Sequence, residues 1–111
     1  MRSRVTDSMS PRVHRLLAKL GRDLSVARRK RHLTVAMMVE RTEMSKATYR
    51  RVEQGDPSVS LGAYVQCLNV LGLADGVGQL ADPGQDEVGL LLDQERLPQR
   101  VRPPKNPGGE L

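Results

Sequence analysis

Residues 33–55 read LTVAMMVERTEMSKATYRRVEQG, and this stretch decides the fold. Thr34 is a helix cap placed before an eight-residue run, Val35–Thr42, in which Ala36, Met38 and Val39 are candidates for the buried side. Glu43-Met44 breaks that helix. Ser45 then caps a second one, Lys46–Gln54, and Gly55-Asp56-Pro57 ends it with a glycine just past the terminus and a proline beyond. Tyr49 and Val52 lie three apart and belong inside, together with Met44. Lys46 and Arg50 form one i,i+4 pair, and Ala47 and Arg51 form the adjacent one, so these four face outward.

Two short helices joined by a tight turn, the second opening on a small polar cap, describe a unit that reads duplex DNA. The first helix braces the second across the sugar–phosphate backbone. The second presents its N-terminus, with free N–H groups and positive partial charge, to the major groove. Arg is the usual reader of guanine O6 and N7, and Ala can contact a thymine methyl. By spacing alone, the Lys46, Ala47, Arg50, Arg51 face is equally an ordinary solvated helix surface.

Outward from this unit, Ser10-Pro11 starts a long helix to about Arg31, with Val13, Leu16, Leu17, Leu20, Leu24 and Ala27 at helical spacing. Gly21 weakens that helix without breaking it, and Arg28–Arg31 places cations at its C-terminal end. Ser60 caps a fourth helix with an apolar stripe of Leu61, Tyr64, Val65, Leu68 and Leu71, stopped by Gly72. Leu73–Ala81 is a weaker helix, Asp82-Pro83-Gly84 a turn, and Asp86 or Glu87 starts a last helix with Val88, Leu91 and Leu92 inward, ended by Pro98. Residues 98–111 carry four of the seven prolines and two glycines, a composition that cannot build a core. The expected organisation is a flexible basic segment 1–10, a DNA-binding domain 11–81, a helical extension 82–97 and a flexible basic tail 98–111. No strand and no repeat is expected.

The 111 residues include no Trp or Phe and only two Tyr, so the core is small and aliphatic, and dimerisation is a natural stabiliser. Residues 1–31 hold ten Lys or Arg against two acids, residues 58–111 four against seven acids. A basic end and an acidic end suggest a polyanion on one surface and a different partner elsewhere. The single Cys67 excludes an intrachain disulfide and a cysteine-rich zinc site, and its apolar surroundings make it a buried structural thiol. His14 and His32 have no ligand spacing around them, so no metal and no cofactor is expected. The acids Asp82, Asp86, Glu87 and Asp93 read as turn and helix-start residues, and Gly72, Gly76 and Gly78 lack the strand that precedes a phosphate loop. No enzyme is expected. The absence of a long apolar run or signal-like segment points to a cytoplasmic protein that binds no membrane.

Residues 24–72 resemble the Xre/Cro-type helix-turn-helix family of phage repressors and bacterial regulators, on Arg28, Leu33-Thr34, Met44-Ser45 and Glu53-Gln54-Gly55. The resemblance implies an all-α, lambda-repressor-like helix-turn-helix bundle that associates with the bacterial nucleoid. It also implies a partly buried structural ion pair between Arg28 and Glu53, whose loss is costly because a desolvated charge remains. Three positions depart from the family pattern. Val35 stands where a DNA-touching Gln is common and cannot hydrogen-bond a base. Val39 stands where a small Ala is usual. Glu43 stands where Gly is usual, so either that residue is strained or the turn is differently shaped.

The segment LGLADGVGQLADPGQDEVGLLLDQERLPQRVR, residues 71–102, resembles the region after the helix-turn-helix in HipB-type antitoxins. It does so on Leu80–Pro83, Val88-Gly89-Leu90 and Glu95–Pro98 running into Arg100 and Arg102. This resemblance implies an operon autorepressor that holds a HipA-like kinase toxin. Core-completing helices with a tail account for the same residues. In either case Leu90, Leu91 and Leu92 cannot all face one interior, so at least one contacts a second subunit or a partner.

The expected function is sequence-specific repression by a homodimer on a roughly palindromic DNA operator, with half-sites about one helical turn apart. Lys46, Ala47, Arg50 and Arg51 would face the bases, and Thr34, Ser45, Ser58 and Ser60 the phosphates. The alternatives are a free-standing or phage-type repressor without a toxin, and a protein–protein adaptor whose helix-turn-helix no longer binds DNA.

Overall fold

Ser10, Thr34, Ser45 and Ser60 each cap a helix in the computed structural model, which describes residues 8–96. The hydroxyl oxygens accept from the N–H groups of Val13 (3.2 Å), Met37 (3.1 Å), Thr48 (3.0 Å) and Ala63 (3.1 Å). Each bond satisfies one of the donors that a helix start leaves open. The helices are α1 (Pro11–Lys30), α2 (Val35–Thr42), α3 (Lys46–Glu53) and α4 (Leu61–Val70), then a 3-10 segment Ala74–Gln79, a 3-10 turn Pro83–Gln85 and α5 (Glu87–Arg96). Among the described residues there is no strand. The first expected segment lies outside the described residues as far as residue 7, and the Pro-rich tail 98–111 lies outside them entirely.

The described chain forms two units, one reaching Val77 and one starting at Gly78. In the first, α1 packs on α3, and α2 packs on both α3 and α4. Leu24, Met38, Tyr49, Val52, Tyr64, Cys67 and Leu71 form the buried core, one or two from each helix, with Leu71 capping α4. Thr42 is buried among them, its hydroxyl donating to the Met38 carbonyl at 2.7 Å. Burial pushes the Cys67 thiol up to about 11, so it stays neutral and acts as a small core side chain.

Three helix ends are built alike. After α1, the N–H of His32 bonds the Arg29 carbonyl (3.0 Å) and that of Leu33 bonds the Arg28 carbonyl (3.1 Å). Gly55 with Asp56, and Gly72 with Leu73, repeat the pattern after α3 and α4. This reversal needs a left-handed residue. Gly55 (φ 72°) and Gly72 (φ 78°) supply it without cost, but at the first end His32 (φ 56°) does so.

Gly21 has a further role that the helical pattern did not reveal. It is buried where α1 crosses the end of α3, and a Cβ there would lie 2.6 Å from both the Glu53 carbonyl oxygen and the Gly55 nitrogen. A Cβ at Gly55 would in turn collide with the Leu17 carbonyl. The two glycines allow backbone to touch backbone, which fixes α3 against α1.

Several expected core positions are exposed instead. Val13 and Leu16 (51 % exposed) continue the α1 stripe, but α3, the helix that packs on α1, is only eight residues long and cannot cover twenty. Leu61 is 68 % exposed because the buried line of α4 runs through Tyr64, Cys67 and Leu71, and the helical rotation carries the first turn off it. In α2 the buried line is Met38 and Thr42, which leaves Ala36 outside. The expected α-helix at Leu73–Ala81 is a shorter 3-10 segment, consistent with Gly76 and Gly78 inside it.

The second unit buries little. Its turn begins at Asp82, whose side chain accepts from the Gly84 N–H at 3.0 Å, and α5 packs on this three-residue turn. Val88 (66 % exposed), Leu91 and Leu92, expected inward, are all exposed, as are Leu80 and Leu90. A single turn facing one helix has too little surface to cover them.

Candidate nucleic-acid interface

The α2–turn–α3 unit is held from behind by one arginine. Arg28 reaches from α1 to Glu53 at the end of α3, its Nε donating to Oε2 at 2.7 Å and its Nη2 to Oε1 at 3.3 Å. Its remaining Nη1 donates to the Leu33 carbonyl at 2.9 Å, just before α2 begins. One guanidinium thus ties α1, the entry to α2 and the exit of α3. The paired side chains are only 12 % and 15 % exposed, so the pair is largely desolvated. The Tyr49 hydroxyl adds a short hydrogen bond to the same Glu53 carboxylate.

The ionisation of this cluster follows from its contacts. Burial alone would raise the Glu53 carboxyl, but the hydrogen bonds from Arg28 and Tyr49 outweigh it and hold the group below the usual carboxylate range. The Glu53 hydrogen bond raises Arg28. Burial, and then donation to Glu53, raises Tyr49. Glu53 is therefore a fixed anion, and the cluster serves structure.

Between α2 and α3, Glu43 adopts the left-handed conformation (φ 60°, ψ 23°) with its N–H bonded to the Val39 carbonyl at 2.9 Å. The turn has the shape a glycine would give it, and Glu43 bears the strain of that shape. Its side chain is exposed. Val35 and Val39, the other two departures, are half-buried against the core.

Beyond the turn, the Ser45 hydroxyl donates to the Thr48 hydroxyl at 3.0 Å while accepting from its N–H. From this cap, Lys46, Ala47, Arg50 and Arg51 are exposed on α3, opposite the buried Tyr49 and Val52. Thr34, Ser45, Ser58 and Ser60 are exposed as well. Of these hydroxyls, Ser58 is the least suited to phosphate. It donates to the Asp56 carboxylate at 2.7 Å, as does its own N–H at 2.8 Å, so an anion already occupies its donors. Leu90, Leu91 and Leu92 belong to the second unit and are exposed there on α5.

Two positioning features escaped the sequence reading. The Tyr64 hydroxyl donates to the Asp56 carbonyl at 2.7 Å, pinning the α3–α4 loop to α4. Its pKa is pushed up to about 12, by burial first and then by the nearby Asp56 charge. Asp56 was read only as part of a helix stop, although Asp-Pro-Ser at this spacing is also the signature of a side chain bonding two residues on. Arg41, in the last turn of α2, is an exposed cation beside the turn that the apolar pattern does not mark.

A short bracing helix, a left-handed turn and a capped helix with three outward cations define a helix-turn-helix module of the DNA-binding kind. A family model described as a helix-turn-helix domain matches residues 19–79, more than half of the chain, and the chain belongs to that family. No curated protein and no solved structure matches it. Among the described residues, no helix is long and apolar enough to cross a membrane, and no group of His, Cys, Asp or Glu could hold a metal ion.

Proposed function

We propose that the protein is a sequence-specific transcriptional repressor that binds a roughly palindromic operator as a homodimer. The observation that carries this reading is the outward face of α3, where Lys46, Ala47, Arg50 and Arg51 project beside the Ser45 cap with no acid among them. Arg50 and Arg51 suit guanine edges, Ala47 suits a thymine methyl, and Lys46 with the cap N–H groups suits the flanking phosphates. Thr34 and Ser60, each with a hydroxyl proton to donate, suit phosphates on either side. Selecting duplexes from a random-sequence pool with the full chain tests the reading. Enrichment of a two-fold symmetric sequence is expected, and Arg50→Ala should weaken it by about 1–3 kcal/mol. Enrichment of no sequence would leave the adaptor reading in its place.

The finer proposal is that this repressor is the antitoxin of a HipA-like kinase pair. Its support is the set of exposed apolar side chains around α5, Val88, Leu90, Leu91 and Leu92, which suits a protein partner. Capture of a kinase-like protein by the full chain, lost in Leu91→Asp/Leu92→Asp, is the expected result. Capture that survives these changes would sink it.

A further inference from the structure

We infer that α1 carries a second DNA-binding surface, on the opposite side of the first unit from α3, and that the protein can hold two duplex segments at once. This goes beyond operator reading and does not depend on which sequence α3 prefers. Arg12, Arg15, Lys19, Arg22, Arg29 and Lys30 are all exposed. Arg12, Arg15, Lys19 and Arg22 recur at alternating three- and four-residue steps, and Val26 continues the series to the adjacent pair Arg29-Lys30, so they form a cationic row along one side of the helix. From Arg12 to Lys30 the row runs about 27 Å, the axial length of about eight base pairs.

Its placement follows from what α1 buries. Gly21 and Leu24 are buried, and Arg28 bonds Glu53, so these three mark the side that faces α3 and the core. At about 100° per residue, the cationic row is centred about 160° around the helix from them. On α3, in turn, Tyr49 and Val52 are buried and the four outward residues point away from the core. A straight duplex seated on α3 therefore cannot also lie along the α1 row.

The charge pattern selects the occupant. Asp23 is the one acid of α1, and it is bonded to Lys19 at 2.6 Å, which leaves the other five cations of the row without an acid on their own helix. Like charges at these spacings weaken a helix, and a face serving solubility alone would interleave acids. A straight row of six cations with a single acid at its edge fits a rod of regularly spaced negative charge. The acidic α5 of a second copy fits it less well, because within the row Val26 is the one apolar residue to cover its exposed leucines, Val13 and Leu16 lying to one side.

A two-duplex capture experiment with the full chain tests this. One random-sequence duplex is fixed to beads and a second, fluorescent duplex is offered in solution, beside separate titrations of a single selected operator. The variant Arg12→Gln/Arg15→Gln/Arg22→Gln should keep its helix content and thermal midpoint and bind operator within about twofold of the parent. Its capture of the second duplex should fall about tenfold or more, with the salt slope of capture reduced by about 3. In Arg50→Ala/Arg51→Ala, residual salt-sensitive binding to one duplex should persist and disappear when the α1 changes are added. That arm reports on α1 even if α3 reads no operator. Undiminished capture by the α1 variant would overturn the inference, because two reading heads of a dimer would then do the bridging. An operator affinity that falls as steeply as capture would overturn it too, because both surfaces would then share one duplex.

Discussion

The two units spend similar residues very differently. In the first, Leu24 and Leu71 are buried with Met38, Tyr49, Val52, Tyr64 and Cys67, because four helices converge on them. In the second, Leu80, Leu90, Leu91 and Leu92 remain exposed around a single helix and a turn. Charge divides the same way, with Arg and Lys prevailing up to Val77 and the acids Asp82, Asp86, Glu87, Asp93 and Glu95 from Gly78 onward. An apolar side chain is core only where enough chain surrounds it, and otherwise it is a surface for something else.

The largest expected test of this contrast uses glycine. Gly21→Ala would force a methyl into the Glu53 and Gly55 backbone and should destabilise by about 3 kcal/mol or more in denaturant melts. Gly78→Ala has open space around it and should stay within about 0.5 kcal/mol of the parent. Equal costs would mean that α1 and α3 do not touch as described. Next in size, Leu24→Ala should cost about 2–3 kcal/mol, whereas Leu91→Ala should leave the melt of isolated protein nearly unchanged. A large loss from Leu91→Ala would show that α5 is already covered in the free protein.

Acid provides a smaller, signed test confined to the first unit. The folded pKa of Glu53 lies below its ordinary value, so its contribution is full above about pH 4.3 and is lost as pH falls through the folded value. Glu53→Gln should flatten the pH dependence of the melting temperature in that window, besides lowering stability throughout. An unchanged slope would put the acid sensitivity elsewhere. The smallest effect is a gain. Glu43→Gly relieves a left-handed glutamate and should stabilise by about 0.5–1 kcal/mol, read as a rise of a few degrees in thermal midpoint. It also removes an exposed negative charge beside α3 and, if the proposed operator reading holds, should tighten DNA binding modestly. A lower midpoint would mean that the Glu43 side chain stabilises the turn.

Much of this was legible in the chain because the physics involved is local. Ser10, Thr34, Ser45 and Ser60 bond N–H groups three residues on, and Gly55 and Gly72 reverse the backbone at the next residue, so each signal and its effect lie within one turn. The outward set Lys46, Ala47, Arg50 and Arg51 follows from the rotation of a single short helix. The Arg28–Glu53 pair, 25 residues apart, was anticipated only through family resemblance. What the tertiary structure alone decided is which length of each apolar stripe is covered, and where one backbone presses on another. Val13, Leu16 and Leu61 carry the same periodic signal as Leu24 and Tyr64, yet among the described residues they are left exposed. Gly21 looks like a weak point of α1 until α3 is laid across it. Burial and close approach depend on residues distant in sequence, and no local pattern records where those will come to rest.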